Sequence, residues 1–113
     1  MDSEVKLLLD RADNELLAAK VLKSISEEDA LKDNLTVPAK TTFYSSVISH
    51  SYYSIFYSAR AALLSRGIKI SAPFIHNKAY DKFKNVFVDS GKLDKYILEA
   101  YEKMLIRAED LLQ

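Results

Sequence analysis

His50, Tyr53, Tyr57 and Arg60 follow one another at steps of three, four and three residues within S-H-S-Y-Y-S-I-F-Y-S-A-R. On an α-helix that spacing places all four on one stripe. An imidazole changes charge near neutral pH and can act as a general base. A guanidinium can hold a phosphate through its planar fork of donors, and tyrosine rings can stack on bases. Packing alone produces the same spacing, and Tyr and Arg are enriched at interface hot spots. A core-and-interface role is therefore the first reading of the stripe, and nucleotide or RNA chemistry the second. His50 and Arg60 lie ten residues apart, about 15 Å along a helix axis. Within one chain they do not easily reach the same phosphate, whereas across a two-fold dimer axis they can.

The chain that must position these residues has 113 residues, enough for one domain over 1–113 with a single core. It contains 49% hydrophobic and 28% charged residues, with 2 Gly and 2 Pro. So few turn formers disfavour an all-β fold. There is no Cys, which excludes disulfides, thiolate metal sites and Cys catalysis. No apolar run approaches the length of a membrane span. The start, M-D-S-E-V-K, has no basic region leading into an apolar stretch. The expected setting is cytoplasmic, with no membrane contact. Net charge is zero but divided: residues 1–59 hold 6 Lys/Arg against 9 Asp/Glu, and residues 60–113 hold 10 against 7. This fits pairing between protomers or a modest basic surface at one end. A nucleic-acid binder usually carries a stronger basic footprint.

Four helical segments are predicted. Val5, Leu8, Leu9, Ala12, Leu16, Ala19 and Leu22 repeat at three- and four-residue steps over 3–24, with Asp2 or Ser3 as cap. Ser26-Glu27-Glu28-Asp29 resembles a capping box opening a short helical turn. Residues 34–42, with Pro38, form a long loop that is either mobile or holds a partner. A second long helix spans about 43–66 and stops at Gly67. Ser71 and Pro73 signal a third, running to about Val88 with Phe74, Phe83 and Phe87 in its apolar stripe. A fourth opens at Asp94, stapled by Leu93 and Leu98, and continues through Ile97, Ala100, Tyr101, Met104, Leu105, Ala108 and Leu111. Helices with mostly short joints predict an all-α fold, an up-and-down antiparallel bundle of four main helices and a possible extra short one.

On a helical wheel the 43–66 segment has three faces. Tyr44, Ile48, Tyr52, Ile55, Phe56, Ala59 and Leu63 form a core stripe. Ser51, Ser54, Ser58 and Ala61 form a small-residue stripe that lets a neighbouring helix come close. His50, Tyr53, Tyr57, Arg60 and Leu64 form the third. A helix apolar or semi-apolar nearly all round is covered on more than one side, so a homodimer or partner protein is expected across the third stripe.

The string V-I-S-H-S-Y-Y-S-I-F-Y-S-A-R-A-A-L-L-S-R-G-I, followed by H-N-K-A-Y-D-K-F-K-N-V-F-V-D-S-G-K-L-D, resembles the HEPN domain, most closely its small stand-alone prokaryotic branch. Val47, Tyr52-Tyr53, Phe56, Ala59, Ala62, Leu63 and Gly67 carry the likeness, with His76, Phe83, Phe87-Val88 and Gly91 after them. It covers roughly 5–112. The resemblance implies a dimerising four- or five-helix bundle, often paired with a minimal nucleotidyltransferase as a toxin–antitoxin couple. It also implies, for many members, metal-independent RNA cleavage by an Arg followed after four to six residues by His.

This chain departs from that signature. The positions after Arg60 hold Ser65, Arg66 and Gly67; those after Arg66 hold Ser71, Ala72 and Pro73; only Leu112 and Gln113 are in reach of Arg107. His76 matches a family position, and a structural role is favoured for it over catalysis. Three functions follow. The first is a dimeric interaction module that pairs with a nucleotidyltransferase-type protein. The second is an endoribonuclease using His50, Arg60 and Arg107 in a non-standard set. The third is RNA or nucleotide binding without catalysis through Tyr53, Tyr57 and Arg60. No metal or cofactor is expected: the two His residues are far apart, and no P-loop, G-x-G-x-x-G or G-x-S-x-G motif is present.

Overall fold

The computed structural model of the chain describes residues 2–91, 93, 97–99, 101–103 and 106. Helix α1 is Ser3–Glu27, α2 is Asp29–Asn34, α3 is Tyr44–Leu64 and α4 is Ile75–Phe83, which runs on into a π-helical turn, Lys84–Val88. Residues 97–99 and 101–103 are also helical, and there is no strand among the described residues. The all-helical expectation therefore holds. The fourth segment's proposed cap at Asp94, and its positions at 100, 104, 105, 108 and 111, lie outside the described residues.

The long helices form an antiparallel pair. Phe43 meets Ser26, His50 meets Glu15 and Ser54 meets Ala12, so contacts move down α1 as they move up α3. Asp2 caps α1 as expected, its carboxylate accepting from the Glu4 N–H at 2.7 Å. Val5, Leu8, Ala12 and Ala19 are buried, but Leu9 and Leu16 are 36% and 42% exposed, against expectation. Small side chains explain the difference. Ala12 faces Ser54, whose hydroxyl donates to the Ala12 carbonyl at 2.8 Å. Backbones this close leave a narrow seam, and the leucines at its edge fall outside.

The main core gathers on the other side of α3. Tyr52, Phe56, Ala59 and Leu63 pack with Ile70, with Ala79 and Phe83 of α4, and with Leu98 and Tyr101. Full burial of an aromatic or leucine side chain contributes about 1.5–3 kcal/mol, and among the described residues this cluster holds all the buried aromatic side chains. Tyr44, expected in the core stripe, sits in the first turn of α3 and is 44% exposed.

The ends of α3 follow local chemistry. Gly67 takes φ 78°; Ile68 N–H donates to the Leu63 carbonyl and Gly67 N–H to that of Leu64. Those two bonds make a Schellman motif, which needs a left-handed residue where Gly67 stands. Two expected starts are corrected. Ser26 does not open α2: its hydroxyl donates to the Leu22 carbonyl and accepts from the Phe43 N–H at 2.8 Å, closing the loop onto α1. Buried Lys32 reaches the Ala39 carbonyl at 3.0 Å from the other side. Helix α4 begins at Ile75, not at Ser71 or Pro73, because Phe74 takes left-handed φ 59° and interrupts any earlier turn. Phe74 thereby projects into solvent, 76% exposed, and leaves the apolar stripe predicted for it. The Ala72–Pro73 peptide is cis.

Candidate functional site

The four stripe residues of α3 do not form one site, because α1 and α4 cover them at different places. Close to the middle of α1, Glu15 reaches His50, its carboxylate meeting Nδ1 at 2.5 Å. Three residues on, Tyr53 is half-buried and touches Phe56 and Tyr57, with its ring edge-on to His76 of α4 at 5.9 Å. One turn further, Tyr57 is half-buried beneath Arg11 of α1, whose guanidinium lies 5.9 Å from the ring centre. Arg60 turns back over Phe56 at 5.4 Å. Helices α1 and α4 of the same chain thus cover part of this stripe, and its four residues stay half-buried. Arg107 lies outside the described residues.

His76 has the structural place expected of it. Its Nδ1 lies 2.6 Å from the hydroxyl of fully buried Tyr52, and its ring stacks on Phe56 with centroids 4.2 Å apart. The first turn of α4 is thereby fastened to the centre of α3.

Arg60 also lines a groove that the stripe alone does not suggest. Its cationic wall is Arg11 of α1, Arg60 of α3 and Lys69 of the α3–α4 connection, and its floor includes Leu7, Leu8 and Leu64. The volume is about 280 Å³. Glu4 stands on the rim, 3.9 Å from the Lys69 ammonium. Neither Arg11 nor Arg60 has a carboxylate within ion-pair distance among the described residues. Each guanidinium is steadied by an aromatic face instead, an attraction worth about 0.5–1 kcal/mol at accessible sites. Helical spacing alone does not mark Arg11 and Lys69 as partners of Arg60. The only signal for them was local: Arg11 sits at i+4 and i+3 from Leu7 and Leu8, and Lys69 between two isoleucines.

Two hydroxyls outside this region are perturbed. Burial pushes the Tyr101 hydroxyl well above its ordinary value, and that hydroxyl has no hydrogen-bond partner among the described residues. Tyr80 is raised more modestly, first by burial and then by Glu102, to which its hydroxyl donates at 3.3 Å.

Among the described residues, no three His, Cys, Asp or Glu side chains converge as a metal site would require, and no helix is long and apolar enough to cross a membrane. No protein-family model, no curated protein and no solved structure matches this chain.

Proposed function

We propose that the chain is a HEPN-type helical interaction module that self-associates and pairs with a minimal nucleotidyltransferase-type protein, as one half of a toxin–antitoxin couple. The family resemblance over Val47 to Gly91 supports the type of module and the type of partner, and an all-helical chain is consistent with it. The observation that carries the interaction reading is the outer side of α1. Leu17 and Val21 stand 59% and 48% exposed, one turn apart on the side of α1 that faces away from α3. Exposed apolar side chains one turn apart can seat a second copy of the chain. The reading places the contact on α1, since α1 and α4 of the same chain already meet part of the His50/Tyr53/Tyr57/Arg60 stripe.

Light scattering coupled to size exclusion tests this. The wild-type chain is expected to be a dimer, and Leu17→Glu with Val21→Glu a folded monomer with its helical circular dichroism retained. A wild-type monomer, or a dimer indifferent to both charges, overturns the reading.

One observation favours the enzymatic alternative. Glu15 holds His50 through Nδ1, the arrangement by which a carboxylate fixes an imidazole's tautomer and orientation in acid–base catalysis. The test is RNA cleavage in EDTA. Loss of cleavage in both His50→Ala and Glu15→Gln supports a ribonuclease using this pair. Cleavage that survives in both, or is absent from the wild type, removes that reading.

A further inference from the structure

We infer that the groove between α1, the end of α3 and the α3–α4 connection binds a small aliphatic carboxylate, its anion on Arg11 and Arg60 and its hydrocarbon on the leucine and isoleucine floor. This goes beyond the interaction reading and does not rest on it.

Charge makes the first part of the case. Three cations from three different elements, Arg11, Arg60 and Lys69, line one groove with a single carboxylate, Glu4. Lys69 is offset by Glu4, leaving the two guanidinium groups without an internal counter-ion among the described residues. Arginine forks match a carboxylate with two parallel hydrogen bonds, and charge-assisted bonds of this kind are roughly twice as strong as neutral ones. Arg11 and Arg60 are also already placed, each on the ring of a different α3 residue, Tyr57 and Phe56. Less side-chain freedom is then lost when a ligand arrives.

The lining decides what the anion is attached to. Leu7, Leu8, Leu64, Ile68 and Ile70 make up the rest of the groove, and no aromatic side chain lines it. A base would find no ring to stack on, because the arginines themselves lie over Tyr57 and Phe56, and stacking is the main sequence-tolerant term in nucleobase binding. An aliphatic chain gains about 0.8 kcal/mol for each CH₂ it buries on such a floor. The volume, about 280 Å³, lies just below the usual range for small-molecule pockets, roughly 300–1,000 Å³. That limits the ligand to a short or medium chain.

Isothermal titration with octanoate, octan-1-ol, inorganic phosphate and adenosine monophosphate separates the contributions. Octanoate is expected to bind one per chain. Octan-1-ol, which keeps the tail, and phosphate, which keeps a charge, are each expected to bind at least about tenfold more weakly, since each lacks an interaction worth about 1.4 kcal/mol or more. Arg60→Gln should weaken octanoate about tenfold through the lost charge-assisted bonds. Glu4→Gln should tighten it roughly two- to fivefold by removing the competing carboxylate. If Arg60→Gln lowers the melting temperature, Arg11→Gln, at an exposed residue, takes its place, with a loss of about tenfold expected. No binding of octanoate, equal binding of octan-1-ol, tighter binding of adenosine monophosphate or phosphate, or unchanged affinity in both Glu4→Gln and the cation variant would overturn the assignment.

Discussion

The Tyr52 hydroxyl and His76 Nδ1 lie 2.6 Å apart, with the imidazole of His76 stacked on Phe56 at 4.2 Å. The pair spans 24 residues of sequence and joins the middle of the longest aromatic stretch to the first turn of α4. Tyr52 is 1% exposed, so its hydroxyl meets the imidazole away from bulk water. Removing that bond should be measurable. Tyr52→Phe is expected to lower stability to urea by about 1 kcal/mol, the usual net value of a hydrogen bond. His76→Ala should lower it further, by about 2–3 kcal/mol, because the ring stack is lost as well. Equal effects from the two variants would show that the stack contributes nothing.

Tyr101 gives a stability effect of the opposite sign. Its hydroxyl is buried without a hydrogen-bond partner among the described residues, and burial raises its pKa. Tyr101→Phe keeps the ring contacts with Tyr52, Tyr80 and Phe83 and removes an unsatisfied polar group. It is expected to be neutral or stabilising by up to about 1 kcal/mol. The pH dependence follows from the direction of the shift. Below the ordinary tyrosine pKa of about 10, folded and unfolded chains both carry the neutral phenol, and this group gives stability no slope. Above it the unfolded chain ionises while the folded chain holds its proton, so stability falls as pH rises. Urea midpoints followed into the alkaline range should decline less steeply in Tyr101→Phe than in the wild type. Parallel curves would mean that Tyr101 ionises as easily in the folded chain.

Ser26 closes the long loop. Its hydroxyl serves the Leu22 carbonyl and the Phe43 N–H together, at 2.7 and 2.8 Å, and the residue is 5% exposed. In Ser26→Ala the amide of Phe43 loses its partner at the entry to α3. The expected loss is about 1–3 kcal/mol, the range for a buried group left unpaired. Amide hydrogen exchange at Phe43 should quicken in the same variant. Unchanged exchange there would show that Lys32 and its bond to Ala39, on the far side of the loop, suffice to hold it.

Parts of this molecule are legible from neighbouring residues alone. The three- and four-residue spacing of Val5, Leu8, Ala12 and Ala19 is a property of one helix. So is the capping of α1 by Asp2, and so is the stop at Gly67, where a left-handed backbone favours a residue without a Cβ. Such features depend on contacts within a turn or two, and the local sequence is sufficient to specify them. The core stripe Tyr52, Phe56, Ala59 and Leu63 is legible for the same reason, since the wheel fixes which residues share a side.

The wheel does not say what covers each side, and there the tertiary structure decided. Spacing presents the His50/Tyr53/Tyr57/Arg60 stripe as an open face; Glu15 and Arg11 of α1 meet part of it. Ser26 has the type and position of a helix cap, yet its hydroxyl is taken by an amide 17 residues away. Leu16 has core spacing, but the close approach of Ala12 to Ser54 narrows the seam and leaves it outside. Arg60 was legible as a cation on a helix, whereas its grouping with Arg11 and Lys69 was not, because those residues meet only when α1 folds back along α3. Periodicity records which face of a segment is apolar, and only long-range packing determines which faces meet.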